Sequence, residues 1–341
     1  MVTVMHPILA FFSLLLLPLP AGAQAAPEPL RIGGSSTVFP VVQAAIDAYQ
    51  KGGANRQVRF ELKETGTSAG FRQFCSGQLP FANASRPISA KELKACAAAG
   101  VTFLELPIGF DAITVVVNPK NSWASRISTQ ELARLWNRQA TGKITRWSQV
   151  NLDWPNRPIR LCGPGKDSGT FDYFNKAISG DDENSRTDYF ASEDDNELVE
   201  CVARNPDALG YFGYAYYQAN AKRLKPLAVL GKKGPATPSL QSVQQETYVP
   251  LSRPLFIYIN DKALRRRPEL RKFVTYTISN GLRFVKIAGY IPMPPSTYNL
   301  VESKLYRHVL GTAFGGDLPV GLTTGQALQR SLDSIKKPEF R

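Results

Sequence analysis

The segment LRIGGSSTVFPVVQAAIDAYQK, residues 30–51, indicates the fold class of this chain most clearly. A short apolar run, Leu30–Gly33, enters a turn of small hydroxyl residues, and Phe39–Lys51 then carries apolar side chains at helical spacing. The same order recurs next, because Val58–Lys63 alternates as a strand and Ala69–Gln78 can form a helix. This rhythm of strand, turn and helix predicts an α/β fold, with helices packed on the faces of a parallel sheet.

Two strands far apart in sequence are apolar almost throughout: Ile113–Asn118 (ITVVVN) and Leu255–Asn260 (LFIYIN). Such runs are typical of strands buried on both faces. We predict that the chain crosses between two lobes here, so that residues 27–112 and 255–341 form lobe 1 and residues 113–254 form lobe 2. A chain of 341 residues is long enough for two cores, and a cleft between lobes is a preferred place for a ligand.

The remaining elements follow from the same patterns. We predict helices at Ser128–Asn137, Thr170–Ile178 and Glu269–Ala288, a strand at Ile159–Cys162 and a polar surface loop at Lys232–Gln245. A Ser128-x-x-Glu131 capping box marks the start of the first of these helices, and Gly281 weakens the last one.

An apolar stretch near the N-terminus predicts export. Pro7–Pro20 is shorter than the roughly 20 residues of a membrane-spanning helix, and small residues follow it up to Ala26. We therefore predict a signal peptide at residues 1–26, cleaved between Ala23 and Ala26, and a mature chain in the periplasm. The alternative is a buried N-terminal helix.

Four cysteines agree with an oxidising compartment. Cys75, Cys96, Cys162 and Cys201 permit three full pairings, and the sequence alone does not choose among them. Their spacing favours Cys75–Cys96 and Cys162–Cys201, which would place one disulfide in each half of the chain. Because the chain has two histidines and no C-x-x-C motif, we predict no metal site and no cofactor.

Three segments place glycines and hydroxyl residues directly before a helix. A helix start carries free N–H groups and a partial positive charge, and it therefore attracts anions. Ordinary N-capping explains any one such segment, but three of them, two in the first half and one in the second, indicate an oxyanion held between two lobes. The segments are Gly33–Pro40 (GGSSTVFP), Thr65–Phe71 (TGTSAGF) and Gly165–Phe171 (GKDSGTF).

The cation for this anion is assigned to Arg86, in the segment Ser85-Arg86-Pro87. A residue before proline is held extended, and the planar guanidinium group can donate to two oxygens of one anion. The alternative is a solvated surface arginine. Residues 163–166 (GPGK) do not form a P-loop, because the spacing is wrong and Asp167 follows the lysine, so a nucleotide hydrolase has no support.

Eight short segments of the sequence occur in the same order in one protein family. They are GSSTVFP, GTSAGF, FCSGQ, ASRPIS, VVVNP, GPGKDSGTFDYF, SEDDN and GYFGYAYY, spread over residues 30–300. Together they resemble the phosphate-binding protein of the phosphate ABC transporter. The resemblance implies a two-lobed type II periplasmic binding-protein fold with hinge strands and an interlobe cleft. It also implies that the protein captures phosphate and delivers it to the permease subunits in the membrane.

The resemblance places the ligand contacts at the helix starts, on Ser36, Thr37, Val38, Thr67, Ser68, Ser168, Gly169 and Thr170. Two positions depart from the family pattern. Arg86 stands where other members have an aspartate that accepts the proton of hydrogen phosphate, and Pro164 stands where they have an arginine. We therefore predict that Arg86 supplies the cation and that Asp111 accepts the proton, with Asp167 as the alternative. Without such a carboxylate, the site would not distinguish phosphate from sulfate.

Two other function classes compete with this interpretation. An exported phosphoryl-transfer enzyme would need metal ligands or an activated nucleophile, and the pair Asp194-Asp195 is a weak hint of a cation site. A binder of nucleic acid would agree with the net charge of +13, but the basic cluster Arg265–Arg267 is short and is not interleaved with aromatic residues. We therefore predict a monomer that binds phosphate, is not an enzyme and has no nucleic-acid partner. Another tetrahedral oxyanion such as sulfate is the alternative ligand.

Overall fold

The computed structural model describes residues 1–3, 28–52 and 56–333. The strands are β1 (Leu30–Gly34), β2 (Phe60–Glu64), β3 (Phe81–Ala84), β4 (Phe103–Ala112), β5 (Thr114–Val117), β6 (Arg126–Ser128), β7 (Arg160–Pro164), β8 (Phe190–Ser192), β9 (Ala208–Phe212), β10 (Lys225–Pro226), β11 (Ala228–Gly231), β12 (Gly234–Ala236) and β13 (Ser252–Asn260). The helices are α1 (Phe39–Lys51), α2 (Thr67–Cys75), α3 (Ala90–Ala98), α4 (Thr129–Trp136), α5 (Trp147–Val150), α6 (Gly169–Ser179), α7 (Asp195–Ala203), α8 (Tyr214–Ala219), α9 (Leu240–Gln244), α10 (Asp261–Arg266), α11 (Pro268–Ser279), α12 (Gly281–Ile287), α13 (Pro295–Tyr306) and α14 (Thr324–Asp333).

The predicted signal peptide, residues 1–26, and its cleavage region lie outside the described residues except for the first three. Within the part that is described, no helix has the length and the apolar character needed to cross a membrane.

Two five-stranded sheets divide the molecule into two lobes. Lobe 1 is built on the sheet with strand order β2-β1-β3-β13-β4, and lobe 2 on the sheet with order β10-β5-β9-β7-β8. A small sheet with order β12-β11-β6 extends lobe 2. The prediction of parallel sheets was wrong in part. β13 runs antiparallel to β3 and β4, and β5 runs antiparallel to β9, because these strands lie where the chain enters or leaves a lobe.

The chain passes between the lobes at two places. β4 of lobe 1 leads through Ile113 into β5 of lobe 2. The return enters β13, whose first residue, Ser252, pairs with Ala112 at the end of β4. The two passages therefore lie side by side, as in a hinge. The predicted crossing strands are both present, while the boundary between lobes at residue 254 stays a prediction.

Aromatic side chains fill the core of each lobe. In lobe 1, the ring of Phe74 packs edge-on against Tyr258, with centroids 6.5 Å apart. In lobe 2, Tyr211 stacks on Phe174 at 3.8 Å and meets the edge of Trp136 at 4.9 Å. All five rings are buried, so the interior is close-packed in both lobes.

Helical periodicity located most helices correctly, and the exceptions have local causes. The long helix predicted at Glu269–Ala288 is two helices, α11 and α12, which meet at Asn280. Gly281 starts the second one, and a Cβ at this position would lie 2.4 Å from the ring of Tyr298. The predicted loop Lys232–Gln245 contains β12 and α9, because the side chain of Ser239 caps a short helix there.

Each lobe carries one disulfide, with the pairing that the spacing favoured. Cys75–Cys96 joins α2 to α3 in lobe 1, and Cys162–Cys201 joins β7 to α7 in lobe 2. Both α2 and α7 start at the boundary between the lobes, so each disulfide holds a helix whose first residues face that boundary.

Candidate anion-binding site

The three predicted helix starts meet where the lobes touch. The turn before α1 and the start of α2 belong to lobe 1, and the start of α6 belongs to lobe 2. Thr37 Oγ1 lies 3.3 Å from Thr170 Oγ1 across the boundary. The N–H of Ser68 donates to the carbonyl oxygen of Asp167 at 2.9 Å, so the lobes are in direct backbone contact here.

Hydroxyl side chains and free amides line this contact. Six hydroxyl groups are at most 5% exposed, those of Ser36, Thr37, Thr67, Ser85, Ser168 and Thr170. The backbone N–H groups of Ser36, Thr37 and Val38 donate no hydrogen bond to any described group. Rotatable hydroxyls and free amides at a helix start together suit an oxyanion. Ser85 was not among the predicted ligand contacts, but its hydroxyl is one of these six and lies 3.2 Å from that of Thr67.

Two glycines allow the lobes to approach this closely. Gly66 has φ of +81°, and a Cβ there would lie 2.3 Å from the carbonyl oxygen of Asp167. A Cβ on Gly169 would lie 2.6 Å from Thr67 Oγ1 and 2.7 Å from Ser85 Oγ. Any side chain at either position would therefore hold the lobes apart.

The buried cation of the site is Arg253, near the start of β13. Its Nη2 donates to Thr170 Oγ1 at 2.8 Å and to Thr37 Oγ1 at 3.2 Å, so it joins one hydroxyl from each lobe. Its Nη1 donates to the carbonyl oxygen of Gly169 at 3.0 Å. The side chain has no exposed surface. Arg253 was not among the predicted site residues, although an arginine at the head of a buried strand that joins two lobes was a usable signal.

Asp111 lies in the site, but its carboxylate is already paired. Its Oδ2 accepts hydrogen bonds from Nη2 and Nε of Arg253 at 2.9 and 3.1 Å. Its Oδ1 accepts from the N–H of Tyr214 at 2.8 Å. Because both oxygens are engaged, the prediction that Asp111 accepts a ligand proton has no support in this geometry. Asp111 instead orients the guanidinium group of Arg253 and balances its charge.

Arg86 is buried, so the alternative of a solvated arginine is wrong, but its guanidinium group does not bond the six buried hydroxyl groups either. Its Nη1 and Nη2 each donate to a carboxylate oxygen of Glu92 at 2.8 Å, and its Nε donates to Asp172 at 2.6 Å. The two remaining N–H groups donate to the carbonyl oxygen of Pro87 and to Ser68 Oγ. A guanidinium group has five donors, and all five are used. In this geometry neither Arg86 nor Ser68 has a hydrogen-bond donor left for a ligand, since Ser68 donates from Oγ to Asp172 and from its N–H to Asp167.

The alternative proton acceptor, Asp167, also has another partner. Its two carboxylate oxygens accept from Arg72 at 2.7 and 2.9 Å, at the partly exposed edge of the lobe boundary. It therefore strengthens the contact between the lobes rather than facing the six buried hydroxyl groups.

Asp195 belongs to the acidic pair Asp194-Asp195, which was predicted only as a weak hint of a cation site. Asp194 does cap α7, by accepting from the N–H of Asn196, but Asp195 turns inward and is 1% exposed. Ser36 Oγ donates to its Oδ2 at 3.4 Å. Burial and the negative charge of Asp111 raise the pKa of Asp195 well above its usual range, and the charge of Arg253 opposes this in part. Asp195 can therefore bind or release a proton beside Ser36.

Two tyrosines complete the surroundings of the site. The hydroxyl of Tyr216 donates to the carbonyl oxygen of Ser36 at 3.0 Å. The hydroxyl of Tyr290 is buried and has no partner among the described residues. A Cβ on Gly213 would meet that hydroxyl at 2.8 Å and Asp111 Oδ1 at 3.7 Å, so Tyr290 and Asp111 face the same point. In the described part of the chain, no group of three or more His, Cys, Asp or Glu side chains could hold a metal ion.

Comparison with known proteins agrees with this architecture. The family model described as a PBP superfamily domain matches residues 20–281. The protein SphX of a Synechocystis species is 43% identical over 89% of this chain and 90% of its own length. The phosphate-binding protein PstS of Staphylococcus aureus is 32% identical over 78% of both chains.

Solved structures show the same fold. A possible phosphate-binding protein from Planctomyces limnophilus is 37% identical, with a TM-score of 0.61, over 82% of this chain and 98% of that one. A putative phosphate ABC transporter substrate-binding protein from Clostridium perfringens, solved with bound phosphate, has a TM-score of 0.65 at 23% identity, over 78% of this chain and all of that one. The chain therefore belongs to the PBP superfamily, as a relative of SphX and of the PstS phosphate-binding proteins.

Proposed function

We propose that this protein binds one inorganic phosphate between its lobes and delivers it to an ABC-type permease. The observation that carries the proposal is the position of Arg253, whose guanidinium group joins a hydroxyl of lobe 1 to a hydroxyl of lobe 2 in a fully buried site. An anion could replace the direct hydrogen bonds from Arg253 to Thr37 and Thr170. It would then hold these three side chains together through its own oxygens. The names of the PstS relatives and of the neighbouring structures support phosphate as that anion.

Each oxygen of a buried phosphate needs donors, because an unpaired buried charge is costly. Lobe 1 would supply the N–H groups and hydroxyls of Ser36 and Thr37, the N–H of Val38, and the hydroxyls of Thr67 and Ser85. Lobe 2 would supply Ser168, Gly169 and Thr170 at the start of α6. Arg253 would provide the positive charge. Neither lobe alone offers a complete shell, so binding requires closure.

We assign Asp195 as the group that shares one proton with the ligand. Hydrogen phosphate brings a proton to the site and sulfate does not. An ionised Asp195 can accept that proton in a hydrogen bond, whereas it repels a sulfate that has nothing to donate. Sulfate could bind where Asp195 is itself protonated, so the preference for phosphate should increase as the pH rises through the pKa of Asp195.

A binding role without catalysis agrees with the relatives, which are named as binding and transport proteins. Export to the periplasm is supported by the apolar N-terminal stretch and by the two disulfides, which persist in oxidising compartments. The monomeric state stays a prediction.

Calorimetric titration of the purified mature chain with phosphate and with sulfate, in the presence of a chelator, tests the binding proposal. We expect one phosphate per chain and much weaker binding of sulfate at pH 8. Failure to bind phosphate, or binding that disappears with the chelator, would refute it. Delivery is tested by phosphate uptake in cells that lack this chain, which wild-type protein should restore and Arg253→Gln should not.

A further inference from the structure

A second group of charges, one buried and two largely buried, spans the lobe boundary beside the proposed anion site. Arg86 and Glu92 come from lobe 1 and Asp172 comes from α6 of lobe 2. Their side chains are 5%, 12% and 16% exposed. We call these three residues, together with Ser68, the interlobe cluster.

Only part of the interlobe cluster would separate if the lobes opened. Glu92 holds Arg86 with two hydrogen bonds of 2.8 Å inside lobe 1, and its own position is set by the capping box of α3. The bonds that cross the boundary are those to Asp172, from Arg86 Nε at 2.6 Å and from Ser68 Oγ at 3.3 Å. Arg86 is therefore held ready in lobe 1, and Asp172 meets it on closure.

The contact between Arg86 and Asp172 is coupled to the anion site, because residues of the two sites lie next to each other in the sequence. Thr67 and Ser85 line the anion site, and the residues that follow them, Ser68 and Arg86, belong to the interlobe cluster. In lobe 2, Thr170 lines the site and Asp172 lies two residues later on the same helix. The closure that assembles the anion site therefore also forms the bonds to Asp172.

We propose that Arg86 and Asp172 form a latch that holds the lobes closed and slows the release of phosphate without touching it. The proposal rests on the proposed function for its ligand, but the contact itself is a property of the two lobes. A ligand that binds the closed form gains apparent affinity in proportion to the fraction of closed protein. Burial raises the pKa of Asp172 to about 6, so the carboxylate is still ionised at pH 7 and its bond to Arg86 is charge-assisted.

The test uses Asp172→Asn, which keeps the shape of the side chain and removes its charge. Phosphate association and dissociation are measured by stopped flow at pH 7.5. Because a hydrogen bond to a charged group is worth about 1.5–3 kcal/mol, we expect the dissociation rate to rise ~10- to 150-fold, while the association rate changes less than about threefold. Ser68→Ala is a milder variant that removes one bond to Asp172, and we expect a rise of ~2- to 10-fold.

Asp188→Asn is the matched control. Asp188 accepts two hydrogen bonds from the buried Arg186, but both residues lie within lobe 2. This variant should lose stability and keep both rate constants within about twofold of wild type. If Asp172→Asn instead slowed association, changed the ratio of phosphate to sulfate affinity, or left dissociation unchanged, Asp172 would not act as a latch.

A measurement without ligand separates this proposal from the proposed function. Small-angle scattering of the phosphate-free proteins should give a larger radius of gyration for Asp172→Asn than for wild type and for Asp188→Asn. If wild-type protein bound no phosphate, the proposed function would fail and this comparison would still decide the latch. Equal radii of gyration for all three phosphate-free proteins would overturn it.

Discussion

Replacing Arg253 tests which arginine is the cation of the site. The structure indicates Arg253, whereas the sequence suggested Arg86. Arg253→Gln keeps two polar N–H donors and removes the charge that joins Asp111, Thr37 and Thr170. Because the ion pair with Asp111 has no exposed surface, removal of one partner leaves an unpaired buried carboxylate. We expect a loss of ~2–5 kcal/mol in phosphate binding, which corresponds to roughly 30-fold to several-thousand-fold in affinity.

Arg253→Lys should recover part of this loss. A lysine keeps the positive charge beside Asp111, but its single ammonium group cannot reach Gly169 and both threonines as the planar guanidinium group does. Two lost hydrogen bonds of ~0.5–1.5 kcal/mol each give a decrease in affinity of roughly 5- to 150-fold. Calorimetric titration at pH 7.5 measures the affinity, and thermal unfolding without phosphate measures the stability.

Arg186→Gln provides the matched control. Arg186 is also a buried arginine that donates twice to an aspartate, but it lies in lobe 2, where it bonds the carbonyl oxygens of Leu135 and Ile144. This variant should unfold at a lower temperature and bind phosphate like wild type. If folded Arg253→Gln bound phosphate within about threefold of wild type, Arg253 would not be the cation of the site.

Three further predictions concern selectivity, closure and stability. Asp195→Asn should bring the affinity for sulfate close to that for phosphate at pH 8. It should also raise the melting temperature of the phosphate-free protein, since a carboxyl whose pKa is raised by folding destabilises the fold increasingly as the pH rises above its unfolded pKa. Gly169→Ala should weaken phosphate binding at least ~10-fold, because its Cβ would lie 2.6 Å from Thr67 Oγ1, while the melting temperature of the phosphate-free protein stays near the wild-type value. Replacing Cys162 and Cys201 together with alanine should lower the free energy of unfolding by about 2–4 kcal/mol in denaturant titration, and an unchanged midpoint would contradict the structural role of this disulfide.

The α/β class, most elements and the helix starts of the anion site could be predicted from the sequence, because their causes are local. Phe39–Lys51 is a helix since its apolar residues recur at helical spacing, and Ser128 caps α4 three residues before Glu131. The turn before α1 leaves its N–H groups free for the same reason that any helix start does. A pattern of a few residues contains all the information that such features need.

The partners of the charged residues could not be predicted in this way. Arg86 looked like an anion ligand in its local segment, yet its five N–H groups are engaged by neighbours up to 86 positions away. Arg253 was not among the predicted site residues, yet it bonds Thr37, 216 positions away. Asp195 was only one member of an acidic pair in the sequence, yet it is buried against Ser36, 159 positions away.

The physical reason is that a local pattern specifies which groups can donate, accept or carry charge, but not what they meet. The strength of a buried hydrogen bond or ion pair depends on the groups that replace water around it. For Arg86, Arg253 and Asp195 those groups come from distant segments that the two sheets and the lobe contact bring together. Local patterns were enough to predict two α/β lobes with helix starts suited to an anion. Only the packing of the two lobes shows that Arg253 lies between them beside those helix starts and that Arg86 joins them next to it.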